Sequence, residues 1–176
     1  LRRYLPSVVA ANSNDIADVV VVDNGSTDES LSVLKQEFPD VRKLCFDKNY
    51  GYAEGYNRAI RELGYRYSVL LNSDVAATPE WIRPLYEYME AHPEVAACQP
   101  KILSDADHTK FEYAGASGGF IDKHGYPFCR GRIFDTVETD NGQYNDITDI
   151  FWATGAALTV RTEEYLAAGG LDKDFF

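Results

Sequence analysis

Positive charge is scarce in this chain: 17 Lys and Arg stand against 28 Asp and Glu, a formal net charge of −11. A general nucleic-acid binder meets phosphates with a positive surface, so the balance argues against that class. A small phosphate ligand stays open, because a nucleotide held through magnesium or manganese needs local carboxylates. Cysteine is sparse too. Cys45, Cys98 and Cys129 lie far apart with no metal-ligand spacing, and the first two sit in apolar, strand-like runs. We read Cys45 and Cys98 as reduced core thiols and expect a reducing, cytoplasmic setting. His92, His108 and His124 supply neither a metal pair nor a Ser-His-acid set. No apolar run approaches the ~20 residues of a membrane-spanning helix. No signal peptide, internal repeat or low-complexity segment is visible. The chain opens abruptly and ends at Asp174-Phe175-Phe176 without a stop signal, so we expect it to be incomplete at both ends.

What is present fits one sizeable core: 176 residues, 45% hydrophobic and 26% charged. Leu1 to Ala11 reads as an amphipathic helix with Pro6 its weakest point. Val19 to Val22, Val41 to Phe46, Tyr67 to Leu71 and Val95 to Gln99 read as strands. Between them, helices are expected from Glu29 to Glu37 behind Asp28, from Ala53 to Leu63 before Gly64, and from Pro79 to Ala91 behind Thr78. Strands alternating with helices predict an open, mainly parallel α/β sheet flanked by helices. Residues 103 to 146 read as a loop-rich excursion with short strands. Ile150 to Thr154 resumes a strand that continues to Val160, and Glu163 to Ala168 reads as a helix ended by Gly169-Gly170.

Oxygen-bearing side chains gather where two strands end. Tyr67 to Leu71 stops at Asn72-Ser73-Asp74, and Val19 to Val22 runs into Asp23-Asn24-Gly25-Ser26. Such strand tips are the usual ligand edge of an open sheet, and carboxylate and amide oxygens suit a hard divalent ion bridging to phosphate. Asp23 can accept hydrogen bonds from a base or a ribose, or simply brace its own turn. Asn49 to Asn57 places Gly51 where a backbone can approach a ligand, and Asn57 one turn into a helix. The lysine-serine/threonine ending of a P-loop is missing. Asn72 and Asp74 can share one side of an extended segment, with Asp74 the stronger metal ligand. Arg130-Gly131-Arg132 can clamp a phosphate or an anionic acceptor, or sit as solvated charge on a hairpin. Trp152 can stack on a sugar or fill core, and Gly155 marks a close approach.

Together, VVVDNGSTDES, KNYGYAEGYNRAI, LLNSDV, WATGAALTVR and GGLDKDFF resemble the inverting glycosyltransferases of glycosyltransferase family 2, in the family's order. The bacterial rhamnosyltransferase-like members are the branch it most resembles. The resemblance implies a Rossmann-like nucleotide-diphospho-sugar transferase fold. Residues 1–100 would form its nucleotide-sugar-binding half and residues 101–176 the acceptor-side half. It implies Asp23 on the uracil or thymine base or its ribose, and Asn49, Gly51 and Asn57 along the nucleotide pocket. It implies Asp74 as the manganese or magnesium ligand, Asn72 at the first position of the aspartate-any-aspartate motif, and Trp152 to Ala156 beside the donor sugar.

The implied reaction moves a sugar from a UDP- or dTDP-linked donor to a hydroxyl of a saccharide or lipid-linked saccharide, with inversion, in cell-surface polysaccharide or glycolipid synthesis. Lipid-linked acceptors would bring such a protein to the inner face of the plasma membrane. The family's first strand would precede Leu1, and its catalytic base would follow Phe176. Two other readings stay open. One is a sugar nucleotidyltransferase, and the other is a noncatalytic nucleotide- or sugar-binding module.

Overall fold

A computed structural model describes residues 1–12 and 16–175. The elements run α1 (Leu5–Ala11), β1 (Val20–Asp23), α2 (Ser30–Glu37), β2 (Arg42–Cys45), α3 (Gly51–Leu63), β3 (Tyr67–Leu71) and α4 (Ile82–Ala91). There follow β4 (Ala97–Cys98), β5 (Gly119–Ile121), β6 (Pro127–Cys129), β7 (Arg132–Ile133), β8 (Thr136–Val137), β9 (Ala157–Arg161) and α5 (Thr162–Ala167). Local chemistry accounts for several boundaries. Pro6 falls in the first turn of α1, where its missing N–H costs nothing, so the helix starts at Leu5 rather than Leu1. The Ser30 amide donates to Asp28 Oδ1 at 2.9 Å at the start of α2. Gly64 ends α3 in the left-handed region, its amide donating to Ile60 O. Thr78 and Pro79 do not open α4, which begins at Ile82 after Glu80 at φ 60°.

The mainly parallel, Rossmann-like sheet expected from the strand-helix alternation is not what forms. Only β1 and β2 pair in parallel among the described strands, Val20 opposite Arg42 through Asp23 opposite Cys45. β3, β9 and β4 make a separate antiparallel sheet with β9 in the centre. β5 to β8 make a four-stranded antiparallel meander. The reason is long-range pairing. β9 arrives after the whole excursion and lies between β3 and β4, from Tyr67 opposite Arg161 to Leu71 opposite Ala157. Periodicity within a segment carries no information about such an insertion. The expected strand from Ile150 to Thr154 reduces to one bridge, Gly119 to Trp152.

One hydrophobic cluster sits where α3 and α5 meet the sheet of β3, β9 and β4. Ile60, Leu70 and Val160 are nearly inaccessible, and Tyr56, Leu158, Tyr165, Leu166 and Leu171 pack on them. Buried Arg161 ties α4 to this sheet. Its Nε donates to Val95 O at 2.8 Å and its Nη1 to Tyr67 Oη at 2.7 Å, while Nη2 reaches the carbonyls of Met89 and His92 near the C-terminus of α4.

All three thiols are free, but Cys45 and Cys98 are less buried than expected of core residues. Cys45, at the end of β2, is exposed, Cys98 is half-buried and Cys129 is buried. Among the described residues β2 pairs only on its β1 side, and Cys45 falls on an outward-facing position of the strand.

A cavity of about 1040 Å³ separates the first two sheets, walled by β1 and β3 and lined also by α1 and α3. Among the described residues β1 is paired only to β2 and β3 only to β9, so each strand has one edge without a described partner. The cavity wall therefore carries backbone donors and acceptors as well as apolar side chains such as Val21, Val69 and Ile60.

Candidate functional site

β1 and β3 both deliver their C-terminal tips to the region where α3 begins. Asp23 closes β1, 5% exposed, and its Oδ2 accepts the Ser26 amide at 3.2 Å. The turn it braces must be tight. Gly25 has φ +70°, and a Cβ there would stand 2.3 Å from the Lys48 carbonyl carbon, so only glycine lets this turn meet the 48–51 loop.

Asn24 joins the two loops. Its Nδ2 donates to Asn49 Oδ1 at 3.0 Å and to Gly51 O at 2.9 Å, and its Oδ1 accepts the Tyr50 amide at 2.9 Å. Asn49 Oδ1 also takes the Gly51 amide at 2.8 Å. Asn49 and Gly51 thus shape the start of α3, with Asn24 as the knot between it and β1. The sequence does not set Asn24 apart, because its place after a strand-ending Asp reads as ordinary turn chemistry.

From α3, Tyr52 and Tyr56 reach across to the end of β3. The Tyr56 hydroxyl donates to Leu71 O at 2.9 Å, and burial pushes its pKa well up. The Tyr52 hydroxyl donates to Gly155 O at 2.9 Å and lies 3.4 Å from Asn72 Oδ1. Here the close approach marked by Gly155 is to Tyr52: a Cβ on residue 155 would stand 2.3 Å from that hydroxyl. The Asn72 amide donates to Ala156 O at 3.0 Å, continuing the β3–β9 ladder. Two residues on, Asp74 is exposed, and no hydrogen bond to another described residue occupies its carboxylate.

Asn24, Gly51, Tyr52, Asn72 and Asp74 line one cavity, the one between β1 and β3. The strand tips and the start of α3 therefore form a shared polar rim. No group of three or more His, Cys, Asp and Glu among the described residues is placed to cage a metal. Asp74 and Asn72 line the same cavity, and a carboxylate with an amide is a donor set magnesium accepts where phosphates and water supply its other ligands.

Asp23 and Asn49 adjoin this rim through Asn24 but are not among the residues that line the cavity, and the other expected site residues lie elsewhere. Asn57, 2% exposed, binds Leu171 and Tyr165. Arg130 pairs with Asp146 at 2.8 Å and lies over the Tyr144 ring. Arg132 donates to Phe134 O at 2.7 Å and lies over Tyr113. Trp152 donates from Nε1 to Phe120 O at 3.2 Å and lies flush on Gly119, where a Cβ would be 2.0 Å from its ring. These three brace the antiparallel meander and its surroundings, and none of them lines the cavity. The catalytic base expected after Phe176 lies outside the described residues.

A family model described as glycosyl transferase family 2 matches residues 1–151. The chain belongs to glycosyl transferase family 2. It is 27% identical over 191 residues to an N-acetylglucosaminyl-diphospho-decaprenol L-rhamnosyltransferase of Mycobacterium tuberculosis, covering 100% of this chain and 62% of that protein. It is 26% identical over 121 residues to an uncharacterized glycosyltransferase of Nostoc sp., covering 67% of this chain and 37% of the relative. A chondroitin synthase of Escherichia coli is 28% identical over 101 residues, 54% of this chain and 15% of the synthase. This family member thus spans less than two thirds of the length of each of these relatives. No helix among its described residues is long and apolar enough to cross a membrane.

Proposed function

We propose that this chain is the donor-binding half and part of the acceptor half of an inverting glycosyltransferase. The donor is a UDP- or dTDP-linked sugar, and the acceptor is a hydroxyl of a saccharide or lipid-linked saccharide in cell-surface polymer or glycolipid synthesis. The single observation that supports this most is the shared rim. Asn24, beside Asp23 at the tip of β1, and Asp74, just past the tip of β3, line the same cavity with the start of α3 between them. The name of the mycobacterial relative, with its diphospho-decaprenol acceptor, supports the lipid-linked class and the rhamnosyltransferase-like branch.

In this reading Asp23 and the loop tied by Asn24 and Asn49 hold the base and ribose, and the diphosphate lies toward Asp74. Asp74 would hold a magnesium or manganese ion, which would supply neutralisation of the leaving group's charge. Asn72 orients that end of the site, either directly or through water. The acceptor oxygen forms a bond to the anomeric carbon as the bond from that carbon to the diphosphate oxygen breaks. A carboxylate from outside the described residues takes the acceptor's proton, and the nucleoside diphosphate leaves.

The test is product analysis with the full-length protein and UDP- or dTDP-sugars. A released nucleoside diphosphate with a glycosylated acceptor of inverted configuration supports transfer. Pyrophosphate release would instead mark a nucleotidyltransferase, and tight donor binding without any turnover would mark a binding module.

A further inference from the structure

Asn57 holds a backbone turn 114 residues away in sequence. Its Nδ2 donates to Leu171 O at 2.7 Å, and its Oδ1 accepts the Leu171 amide at 3.0 Å. One side-chain amide thus satisfies both polar groups of one residue, as a neighbouring strand would. The Tyr165 hydroxyl completes the clasp, donating to Asn57 Oδ1 at 2.5 Å. The turn is fitted to it closely. Gly169 and Gly170 have φ of +96° and +76°, and a Cβ on Gly170 would stand 2.3 Å from Asn57 Oδ1. Leu171 packs its side chain on the Ile60–Leu70–Val160 core.

Beyond the clasp the chain emerges at once. Asp172 to Phe175 are exposed, and the Asp174 amide folds back on Asp172 Oδ1 at 2.9 Å. On the other side of Asn57, the same helix carries Tyr52 and Tyr56, whose hydroxyls reach Gly155 and Leu71 at the strand tips. Burial raises the pKa of both tyrosines, and Tyr165 adds to the shift. Asn57 therefore connects the rim to the outgoing acidic stretch through one rigid helix. Being 2% exposed, it has no open face for a nucleotide.

We propose that Asn57 and Tyr165 are positioning residues for transfer: they fix the Gly170–Leu171 turn and so set where the chain from Asp172 onward stands against the rim. This rests on the transferase reading above. It assigns the pair to the chemical step and the acceptor side, and away from donor binding.

The experiment uses the full-length protein with Tyr165→Phe, which removes the hydroxyl's bond to Asn57 Oδ1 and its 3.2 Å bond from the Leu171 amide, with Asn57→Asp, which removes the donor to the Leu171 carbonyl, and with Asn57→Ala. Hydrogen exchange at residues 170–175 and steady-state kinetics are both read. The expected result is exchange there faster by about tenfold or more, and kcat lower by about tenfold, with donor KM within about twofold of wild type. A raised donor KM at unchanged kcat would overturn the proposal and make Asn57 a nucleotide contact. Faster exchange with unchanged kcat and KM would overturn it too, leaving the clasp purely structural. Tyr165→Phe keeps the question answerable if Asn57→Ala does not fold. A wild-type protein that releases no nucleoside diphosphate would bring down the transferase reading, and this proposal with it. An active wild type with kinetically unaltered variants would bring down this proposal alone.

Discussion

The Tyr52 hydroxyl donates to the Gly155 carbonyl at 2.9 Å, joining the first turn of α3 to the residue pair before β9 across 103 positions of sequence. The contact leaves no room for a side chain on residue 155, since a Cβ would fall 2.3 Å from the hydroxyl oxygen and 3.3 Å from the ring carbon that bears it. Gly155→Ala is expected to push Tyr52 off the rim and weaken donor binding by about tenfold, a cost of about 1.4 kcal/mol. Tyr52→Phe removes the clashing atom, so Gly155→Ala in the Tyr52→Phe background should cost much less. Donor titrations of the four proteins in a double-mutant cycle measure that coupling.

Asn24 makes a second prediction. Its three hydrogen bonds hold the Asp23–Ser26 turn against the start of α3. Asn24→Ala leaves the Tyr50 amide and the Gly51 carbonyl without their partner. The expected loss is about 1–3 kcal/mol of stability, read from urea midpoints at unchanged slope. Nucleotide affinity should fall more than stability alone implies, because the two loops that would flank the base are no longer fixed to each other.

The locality of each feature decides how much of this was readable in the sequence. β3 was expected at Tyr67 to Leu71 and forms there, because five residues of apolar, β-prone sequence are bounded by polar residues. The strand tips as a gathering point were also legible, since a strand's end and the side chains after it are local facts. The sheet was not. β9 pairs with β3 from about 90 residues away, and nothing within either segment specifies that partner or its antiparallel sense. Asn57 shows the same limit: a buried asparagine one turn into a helix can face a ligand or a distant backbone, and only the tertiary contact to Leu171 separates the two. Trp152, Arg130 and Arg132 read from sequence as either ligand contacts or local braces, and only the fold shows that each has a local partner within the meander or beside it.

Cys98 carries a pH prediction. Burial raises its pKa from the usual 9.0 to about 11, so the folded protein keeps a proton that the unfolded chain has begun to lose. Stability is therefore complete below pH 9 and falls as pH rises from 9 to about 11, the direction linkage requires when the native state binds more protons. Tyr56, also raised by burial, adds to the decline above its ordinary value of 10.0. Denaturation midpoints measured across pH 8 to 11 should fall (~ three pH units of scan), and Cys98→Ala should flatten the part between 9 and 11. Alkylation at neutral pH should mark exposed Cys45 well before Cys98 or buried Cys129.

The central claim is that Asp23 and Asp74, at the tips of two different strands, serve one nucleotide. Calorimetric titration of UDP or dTDP into the full-length protein, with and without manganese, tests it most directly in wild type, Asp23→Ala and Asp74→Ala. The account predicts at least about tenfold weaker binding in each variant, with manganese no longer improving affinity in Asp74→Ala. Binding that is as tight and as manganese-dependent in Asp74→Ala as in wild type would contradict it.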